Sequence, residues 1–232
     1  MDQSEAGMAQ PWQTIEKVDT PDGVLELRKR GVQDFLILIN NRVLMNSSAN
    51  RSEVKLGELA CRKVADRPRP RVLIGGLGMG LTLRSALDAL PAQAQVVVAE
   101  LNPVIVKWCQ HHLGGLADNA VRDPRVSIVI EDVAEVIARA AQAEETRFDA
   151  IVIDLYEGPG ASSDVLLDPF YGSRALKRTA DALSREGVFA VWGESPDVGF
   201  EKRLAAAGFI VDRQRPGRGG MRHVVYVGQK KR

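Results

Sequence analysis

The stretch RPRPRVLIGGLGMGLTLRSAL, Arg67 to Leu87, decides the fold of this chain. It reads as a Pro/Arg linker, a continuous apolar strand, a glycine turn and the first turns of a helix. Three glycines stand at alternate positions, Gly76, Gly78 and Gly80, where the chain must turn sharply or let a ligand approach the backbone. Such a turn predicts the first unit of an α/β sheet, with a ligand at the helix N-terminus.

Strands and helices alternate downstream of this turn. The predicted strands are RVLIGG, QVVVAE, VSIVIE, FDAIVID and GVFAVWG, and the predicted helices begin near Met79, Pro103, Val133, Phe170 and Asp197. Continuous apolar strands favour a parallel sheet that is covered on both faces. The last two strands, GFIVDRQ and RHVVYVGQ, have no helix between them, which implies an antiparallel strand at the end of the sheet. We therefore predict a doubly wound α/β domain over residues 51–232.

The first fifty residues have a different pattern. TIEKVD and VLELRKR flank TPDG, in which Asp22-Gly23 is a strong hairpin signal. FLILIN and RVLMN follow, with Asn40 and Asn41 at the turn, because asparagine tolerates the positive φ that such turns require. Residues 1–50 are therefore predicted to form a small antiparallel β-domain.

A helix is predicted from the segment SEVKLGELACRKV. Ser52 is the predicted N-cap of this helix. The helical period places five apolar side chains near one face, namely Val54, Leu56, Leu59, Ala60 and Val64.

Composition and charge limit the classes of function. The chain has 232 residues, 45% hydrophobic residues and a net charge of +1, so no global field recruits nucleic acid or an acidic membrane. We expect no signal peptide and no membrane span, because no basic-then-apolar start and no long apolar run is present. Cys61 and Cys109 belong to no CxxC pair, which argues against a disulfide framework and a metal site. We expect a cytoplasmic protein with reduced thiols.

The glycine turn does not fit a dinucleotide site. That site needs GxGxxG, and the third glycine position is occupied by Leu81, so the pattern is GxGxG. Glu100 stands twenty residues beyond Gly80, at the tip of the second strand, where a carboxylate can accept both ribose hydroxyls of an adenosine. The alternative for the glycine turn is tight packing without a ligand. The alternative for Glu100 is a solvated strand end.

Two further acids end neighbouring strands. Asp132 follows the third strand, where its side chain can reach an adenine amino group while Val133 supplies a backbone N–H; the alternative is that Asp132 only caps the next helix. Asp154 ends the fourth strand, and its alternative role is to cap the following loop. Ligands of open α/β sheets bind at the carboxyl ends of the strands. These residues together suit an adenosyl group with a reaction centre beside it.

With these residues, the chain resembles the spermidine synthase family, a branch of the class I S-adenosylmethionine-dependent methyltransferase fold. The glycine motif is GGLGMG, Gly75–Gly80, and the strand-tip acids are Glu100 and Asp132. DLYEGPG, from Asp154, is similar to the family's DSSDPxGP motif. Glu194 to Pro196, Glu-Ser-Pro, is similar to the bacterial members.

The resemblance implies a Rossmann-like sheet, an N-terminal β-domain that helps to form a homodimer, and decarboxylated S-adenosylmethionine as co-substrate. It also implies that Asp154 is the catalytic base for a small amine acceptor, since an amine arrives protonated. The donor-binding residues that it implies are Gly75, Gly76, Gly78, Gly80, Glu100, Asp132 and Val133.

The departures from the family pattern concern the acceptor. Gly78 replaces the family's aspartate that grips the aminopropyl amine, Trp192 replaces a glutamine, and Glu157 replaces the second aspartate of the loop motif. The segment NSSANRSEVKLGELA lacks the Asp and Tyr of the family's DExxYHE motif. We predict that Tyr156, Glu157 and Trp192 contact the acceptor. The long connection Leu155 to Asp168 is predicted as a lid, with a plain surface excursion as the alternative.

Three functions remain open from the sequence. The first is an aminopropyltransferase-like enzyme with an unusual amine acceptor. The second is a methyltransferase that uses S-adenosylmethionine itself, since at Gly78 no fixed negative charge would meet its carboxylate. The third is a catalytically silent scaffold protein that keeps the fold, although the retained Asp154 argues against it.

Overall fold

The computed structural model describes residues 10–160, 165–216 and 223–232. These residues divide into two compact units, one ending at Ala49 and the other beginning at Asn50. The first unit is an antiparallel sheet whose strands follow chain order: β1 (Gln13–Thr20), β2 (Gly23–Arg30), β3 (Asp34–Ile39) and β4 (Arg42–Asn46). Asn40 and Asn41, between β3 and β4, have φ angles of 47° and 65°, as the turn prediction requires.

The second unit is a seven-stranded sheet with helices between its strands. Its helices are α1 (Arg51–Arg62), α2 (Leu81–Ala89), α3 (Pro103–Gln110), α4 (Val133–Ala140), α5 (Ser173–Ala182) and α6 (Val198–Ala206). Its strands are β5 (Arg71–Gly75), β6 (Gln95–Glu100), β7 (Val126–Ile130), β8 (Phe148–Ile153), β9 (Leu183–Gly193), β10 (Phe209–Gln214) and β11 (Val224–Lys230). Short 3-10 turns cover Gly114–Ala117, Ala120–Arg122 and Glu144–Thr146.

The strand order of this sheet is β10-β11-β9-β8-β5-β6-β7. Strands β5 to β9 pair in parallel, and β11 is antiparallel to both of its neighbours, β9 and β10. The predicted Rossmann-like fold with an antiparallel last strand is therefore confirmed. The antiparallel strand does not form the edge, however, because β10 pairs with its outer side. In the described part of the chain no helix is both long and apolar enough to cross a bilayer.

Side-chain caps fix where two of the helices begin. The Asn102 side chain accepts the N–H of Val104 at 3.0 Å, and Pro103 follows at the first helical position of α3. Asp197 accepts the N–H of Phe200 at 3.1 Å and caps α6. Both helices begin where the sequence places them, because short polar side chains satisfy the free N–H groups of a first turn.

Helix α1 differs from its prediction in two respects. It begins at Arg51 after Asn50, so Ser52 is not its cap, and Val54 is exposed. The buried residues of α1 are Ser52, Leu56, Gly57, Ala60 and Cys61. The reason is the close approach of α2: a Cβ at Gly57 would lie 2.5 Å from the backbone oxygen of Thr82. The residue at position 57 must therefore be small, because α1 lies directly against α2 at this point.

Both cysteines are free and buried. Burial raises the pKa of the Cys61 thiol to about 12, and burial with the charge of Glu100 raises that of Cys109 to about 12. The thiolate is the reactive form of cysteine, so both side chains are unreactive thiols at neutral pH.

Candidate active site

The turn between β5 and α2 runs through three glycines in the left-handed region. Gly76, Gly78 and Gly80 have φ angles of 89°, 52° and 81°. A Cβ at Gly76 would lie 2.3 Å from the backbone oxygen of Asp154, so this position accepts no side chain. Gly80 precedes α2 and offers no side-chain cap. An uncapped helix N-terminus behind a glycine turn suits the binding of polar or anionic ligand atoms.

Two acids flank this turn. Gly75 is in register with the last-but-one residue of β6 and with the last residue of β8. Glu100 therefore ends β6 on one side of Gly76, and Asp154 follows β8 on the other side. The backbone fixes this order, since the Gly76 N–H donates to β6 at 2.9 Å and the Asp154 N–H donates to Gly75 at 2.8 Å. The sequence correctly predicted that these residues share one edge of the sheet.

Glu100 is tied to the glycine turn through its carboxylate. Its Oε2 accepts the N–H of Leu77 at 2.8 Å, its Oε1 accepts the N–H of Asn102 at 2.8 Å, and only 9% of the residue is exposed. Burial raises the pKa of Glu100, and the backbone N–H donors oppose that rise. A carboxylate has about four lone-pair positions, and these two hydrogen bonds use one on each oxygen. Binding of a ribose by Glu100 stays a prediction. The alternative of a solvated strand end is wrong.

Asp132 has the capping contact that the sequence offered as its alternative role. Its Oδ1 accepts the N–H of Ala134 at 2.8 Å at the start of α4, and the residue is exposed. Val133 is buried, and its Cγ2 would lie 2.7 Å from a Cβ at Gly75. The fold thus brings Asp132 and Val133 beside the glycine turn. Their contact with adenine stays a prediction.

Asp154 is half-buried and accepts a hydrogen bond from Thr82, which the sequence pattern did not predict as a site residue. The Thr82 hydroxyl, in the first turn of α2, donates to Asp154 Oδ2 at 2.5 Å. Burial raises the pKa of Asp154 to about 7; the negative charge of Glu53 adds to the rise, and the Thr82 hydrogen bond opposes it. A carboxyl group with this pKa gains and loses a proton near neutral pH, as a general base requires.

The loop after Asp154 packs against the end of β9. A Cβ at Gly158 would lie 2.6 Å from the backbone oxygen of Trp192. The hydroxyl of Tyr171 donates to the backbone oxygen of Glu157 at 2.9 Å and anchors the loop from beneath. The side chains of Tyr156 and Glu157 are exposed. Their contact with an acceptor stays a prediction.

The structure describes the two ends of the predicted lid, Leu155 to Asp168. Residues 161–164 lie outside the described part of the chain. At the far end, Asp168 Oδ1 accepts the N–H groups of Phe170 and Tyr171 at 2.9 Å and 2.6 Å. The role of Leu155 to Asp168 as a lid stays a prediction.

Trp192 lies on β9, the strand next to β8, and the name wall is used below for its side chain and that of His223. Its indole ring meets the imidazole of His223 edge to face, with 5.0 Å between ring centroids. The indole Nε1 is buried and has no hydrogen-bond acceptor within residues 10–160, 165–216 and 223–232. The pair brings β9 and the start of β11 together on the side of the site where the resemblance implies the acceptor.

Two further polar residues lie beside this wall. Ser52 Oγ donates to Glu53 Oε2 at 2.7 Å and lies 3.0 Å from His223 Nδ1. From the sequence, Ser52 is predicted as a helix cap, and neither Glu53 nor His223 is predicted as a site residue. The sequence signal for Ser52 and Glu53 was an unexplained Ser-Glu pair at the start of a helix. His223 had no such signal, because it is 171 residues away from Ser52 and no local pattern connects the two residues.

No group of three or more His, Cys, Asp or Glu residues is arranged to hold a metal ion in the parts of the chain described above. His111 and His112 are exposed at the end of α3.

A comparison with known families bears on this geometry. The family model of the spermine/spermidine synthase domain matches residues 61–203, more than half of the chain. The chain belongs to the spermine/spermidine synthase family. The match includes the glycine turn, Glu100, Asp132, Asp154 and Trp192, and it excludes Ser52, Glu53 and His223.

Curated relatives of this family share the matched region. A polyamine aminopropyltransferase of Clostridium tetani is 29% identical over 130 residues, which are 56% of this chain and 43% of the relative. A polyamine aminopropyltransferase of Mycobacterium tuberculosis is 29% identical over 133 residues, 57% of this chain and 24% of the relative. The matched segment thus spans less than half of the length of these relatives.

Solved structures of the family show the same fold. The crystal structure of spermidine synthase from Thermotoga maritima superposes with a TM-score of 0.73 at 20% identity, covering 94% of this chain and 72% of that one. A spermidine synthase in complex with the transition-state analogue AdoDATO superposes with a TM-score of 0.72 at 19% identity, with the same coverage.

Proposed function

We propose that this chain is an aminopropyltransferase-like enzyme that uses a decarboxylated S-adenosylmethionine-type donor and a small amine acceptor. The observation that carries the proposal is Asp154, a half-buried carboxyl with a pKa of about 7, next to Gly76 and across from Glu100. The polyamine aminopropyltransferases among its relatives support the reaction class.

The donor's nucleoside would lie against the glycine turn. The close approach of the Asp154 backbone means that position 76 carries no side chain that would project toward the ligand. The carboxylate of Glu100, held by Leu77 and Asn102, would accept the ribose hydroxyls with its remaining lone pairs. Asp132 and the N–H of Val133 would hold the adenine, which requires Asp132 to bind the ligand while it caps α4.

Asp154 would prepare the acceptor for attack. A donor of this class supplies a carbon bonded to a positively charged sulfur. Asp154 takes a proton from the acceptor ammonium, so that the free nitrogen lone pair forms the N–C bond while the C–S bond breaks and the electron pair leaves with sulfur as a neutral thioether. Positive charge on sulfur disappears in this step, so a pocket with little water favours it. The alignment of nitrogen, carbon and sulfur supplies the rest of the acceleration.

The acceptor would lie between the Asp154 loop and the wall formed by Trp192 and His223. Tyr156 and Glu157 on the loop are proposed to contact it. The differences from the family pattern at Glu157 and Trp192 lie together on this side, which supports an acceptor other than the family's usual diamine.

Gly78 supports a second candidate, methyl transfer from S-adenosylmethionine itself. No side-chain charge at this position repels the carboxylate of the intact donor. Glu100 and Asp154 would serve either donor, so the donor must be identified by binding.

Calorimetry with decarboxylated S-adenosylmethionine, S-adenosylmethionine and methylthioadenosine tests the proposal. Tighter binding of the decarboxylated donor, with aminopropylated product from an amine panel detected by mass spectrometry, is the expected result. Preference for the intact donor with methylated product would establish the second candidate. Absence of binding by all three nucleosides would overturn both and leave a silent scaffold protein.

We also propose a cytoplasmic homodimer with two domains, residues 1–50 and 51–232. The small antiparallel sheet of residues 13–46 supports the assembly by its resemblance to the family's dimer-forming domain. Light scattering coupled to size-exclusion chromatography, on the full chain and on residues 51–232, tests it. A monomeric full chain would contradict the proposal.

A further inference from the structure

A hydrogen-bonded chain of three side chains reaches from β11 to the start of α1. Ser52 is buried at the centre of this chain; its Oγ lies 3.0 Å from His223 Nδ1 and 2.7 Å from Glu53 Oε2. The chain is not a helix cap, since α1 begins at Arg51 with no side-chain cap. It also lies outside the region that the family model matches.

The number of protons sets the direction of these hydrogen bonds. A hydroxyl has a single proton, and an ionised carboxylate only accepts. Ser52 therefore donates to Glu53, and the proton between Ser52 and the imidazole is carried by His223 Nδ1. The ring of Trp192, 5.0 Å away and edge to face, packs against the imidazole and helps to hold its orientation.

Thr82 lies between Asp154 and the backbone of Glu53, and its single hydroxyl proton is donated to Asp154. The Thr82 hydroxyl lies 3.2 Å from the backbone oxygen of Glu53 and 2.5 Å from Asp154 Oδ2. The Thr82 hydroxyl thus lies between the backbone of Glu53 and the carboxylate of Asp154, the proposed base. A small movement of Glu53 would change the surroundings of Asp154.

We propose that His223 is a positioning residue that, through Ser52, holds the Glu53 carboxylate close to Asp154. The importance of this for catalysis rests on the proposed function, in which Asp154 is the base. The proposal that His223 positions the Glu53 carboxylate, and that this carboxylate affects the pKa of Asp154, does not depend on the reaction that the protein catalyses.

Several ionisable groups lie on the elements around Asp154, and they differ in their effect. Glu53 on α1 and Tyr171 before α5 interact with Asp154 electrostatically; Glu157 follows on the same loop, Glu100 ends β6 two strands away, and His223 precedes β11. The charge of Glu53 raises the pKa of Asp154. Burial and the charges of Asp168, Asp154 and Glu157 raise the pKa of Tyr171, so its phenol stays neutral. Glu53 is thus the neighbour through which His223 can act.

Carboxyl ¹³C NMR on the unliganded, full-length protein tests the inference, because it needs no turnover. The Asp154 signal is identified by its loss in Asp154→Asn. We expect its titration midpoint near pH 7 in the unchanged protein and lower by about half a pH unit in Glu53→Gln, where a like charge is removed. Ser52→Ala and His223→Ala should lower the midpoint in the same direction, because Glu53 is then free to move into solvent.

Two further variants separate positioning from loss of structure. His223→Asn should restore the midpoint, since its amide N–H lies close to the position of Nδ1. Glu53→Gln with His223→Ala should match Glu53→Gln alone, because the two act through one path. His111→Ala, an exposed histidine just after α3, is the control and should leave the midpoint unchanged.

An Asp154 midpoint unchanged in both Ser52→Ala and His223→Ala, or His223→Asn that titrates like His223→Ala, would overturn the inference. Thermal unfolding of each variant identifies any that does not fold; Ser52→Ala then carries the test in place of His223→Ala. Failure of aminopropyl transfer would leave these midpoints as expected, so the inference and the proposed function fail separately.

Discussion

The hydroxyl of Thr82 donates to the carboxylate of Asp154 at 2.5 Å, although the two residues lie 72 positions apart on α2 and after β8. The contact opposes the dominant effect at this carboxyl, which is burial. It also connects the helix N-terminus behind the glycine turn with the proposed base. The proton affinity of Asp154 therefore depends on how α2 packs against the end of β8.

Replacing Asp154 by Asn tests its role as base. We expect kcat to fall by a factor of about 10² to 10⁴, the usual contribution of a positioned base. Calorimetry should give an unchanged Kd for methylthioadenosine, because Asn keeps the size of the side chain and the hydrogen bond from Thr82. Asp181→Asn, on the exposed side of α5, is the matched control. Equal loss of turnover and nucleoside binding would mean that Asp154 is structural.

The same variant should change the pH dependence of stability. The pKa of Asp154 is about 7 in the folded chain against 3.8 for an ordinary aspartate, so the folded state holds a proton that the unfolded state releases. The free energy of unfolding is therefore lowered progressively as pH rises from about 4 to about 7, and the full cost is present above pH 7.

The difference between a pKa of about 7 and one of 3.8 corresponds to a cost of about 4 kcal/mol. Asp154→Asn removes the ionisation, so its gain over the unchanged protein should be larger at pH 8 than at pH 4 by that amount. Denaturant unfolding at the two pH values measures the gain. A gain that does not vary with pH would contradict the raised pKa.

Thr82→Val should move the pH profile in the direction opposite to Glu53→Gln. The hydroxyl hydrogen bond lowers the pKa of Asp154, so its removal raises that pKa. The acid limb of the kcat/KM profile should then shift to higher pH by about half a pH unit. Thr179→Val is the control, since this buried threonine bonds its own helix at Ala175. A shift to lower pH would contradict the assigned effect of Thr82.

Gly76→Ala should lower the free energy of unfolding by more than the strain of its backbone angle alone, and it should abolish nucleoside binding. Alanine at φ 89° is strained, and its Cβ would also lie 2.3 Å from the backbone oxygen of Asp154. Gly208→Ala is the matched control, because φ is 96° and no atom of the described residues lies within 4 Å of the added Cβ. We expect a cost of about 1 to 2 kcal/mol at Gly208 and a larger one at Gly76, with loss of nucleoside binding only at Gly76. Equal costs in denaturant unfolding would mean that the close approach is unimportant.

The order of elements in the second unit could be predicted from the sequence because local rules govern it. Continuous apolar segments predict buried parallel strands, and Asn102-Pro103 and Asp197 satisfy the first turns of α3 and α6. The edge shared by Gly76, Glu100 and Asp154 follows from the same rules, since successive parallel strands end on one side. The position of β11 inside the sheet did not follow, because strand order depends on pairing between distant segments.

What the sequence by itself determined is the α/β architecture, the glycine turn and the acids at the strand ends. Their types and spacing are local, and parallel strands force their tips together. Only the tertiary structure decided that Ser52, Glu53, Thr82, Trp192 and His223 gather near Asp154. The approach of α1 to α2 at Gly57 and the pairing of β11 with β9 create that group, and both are long-range packing events that no short segment encodes.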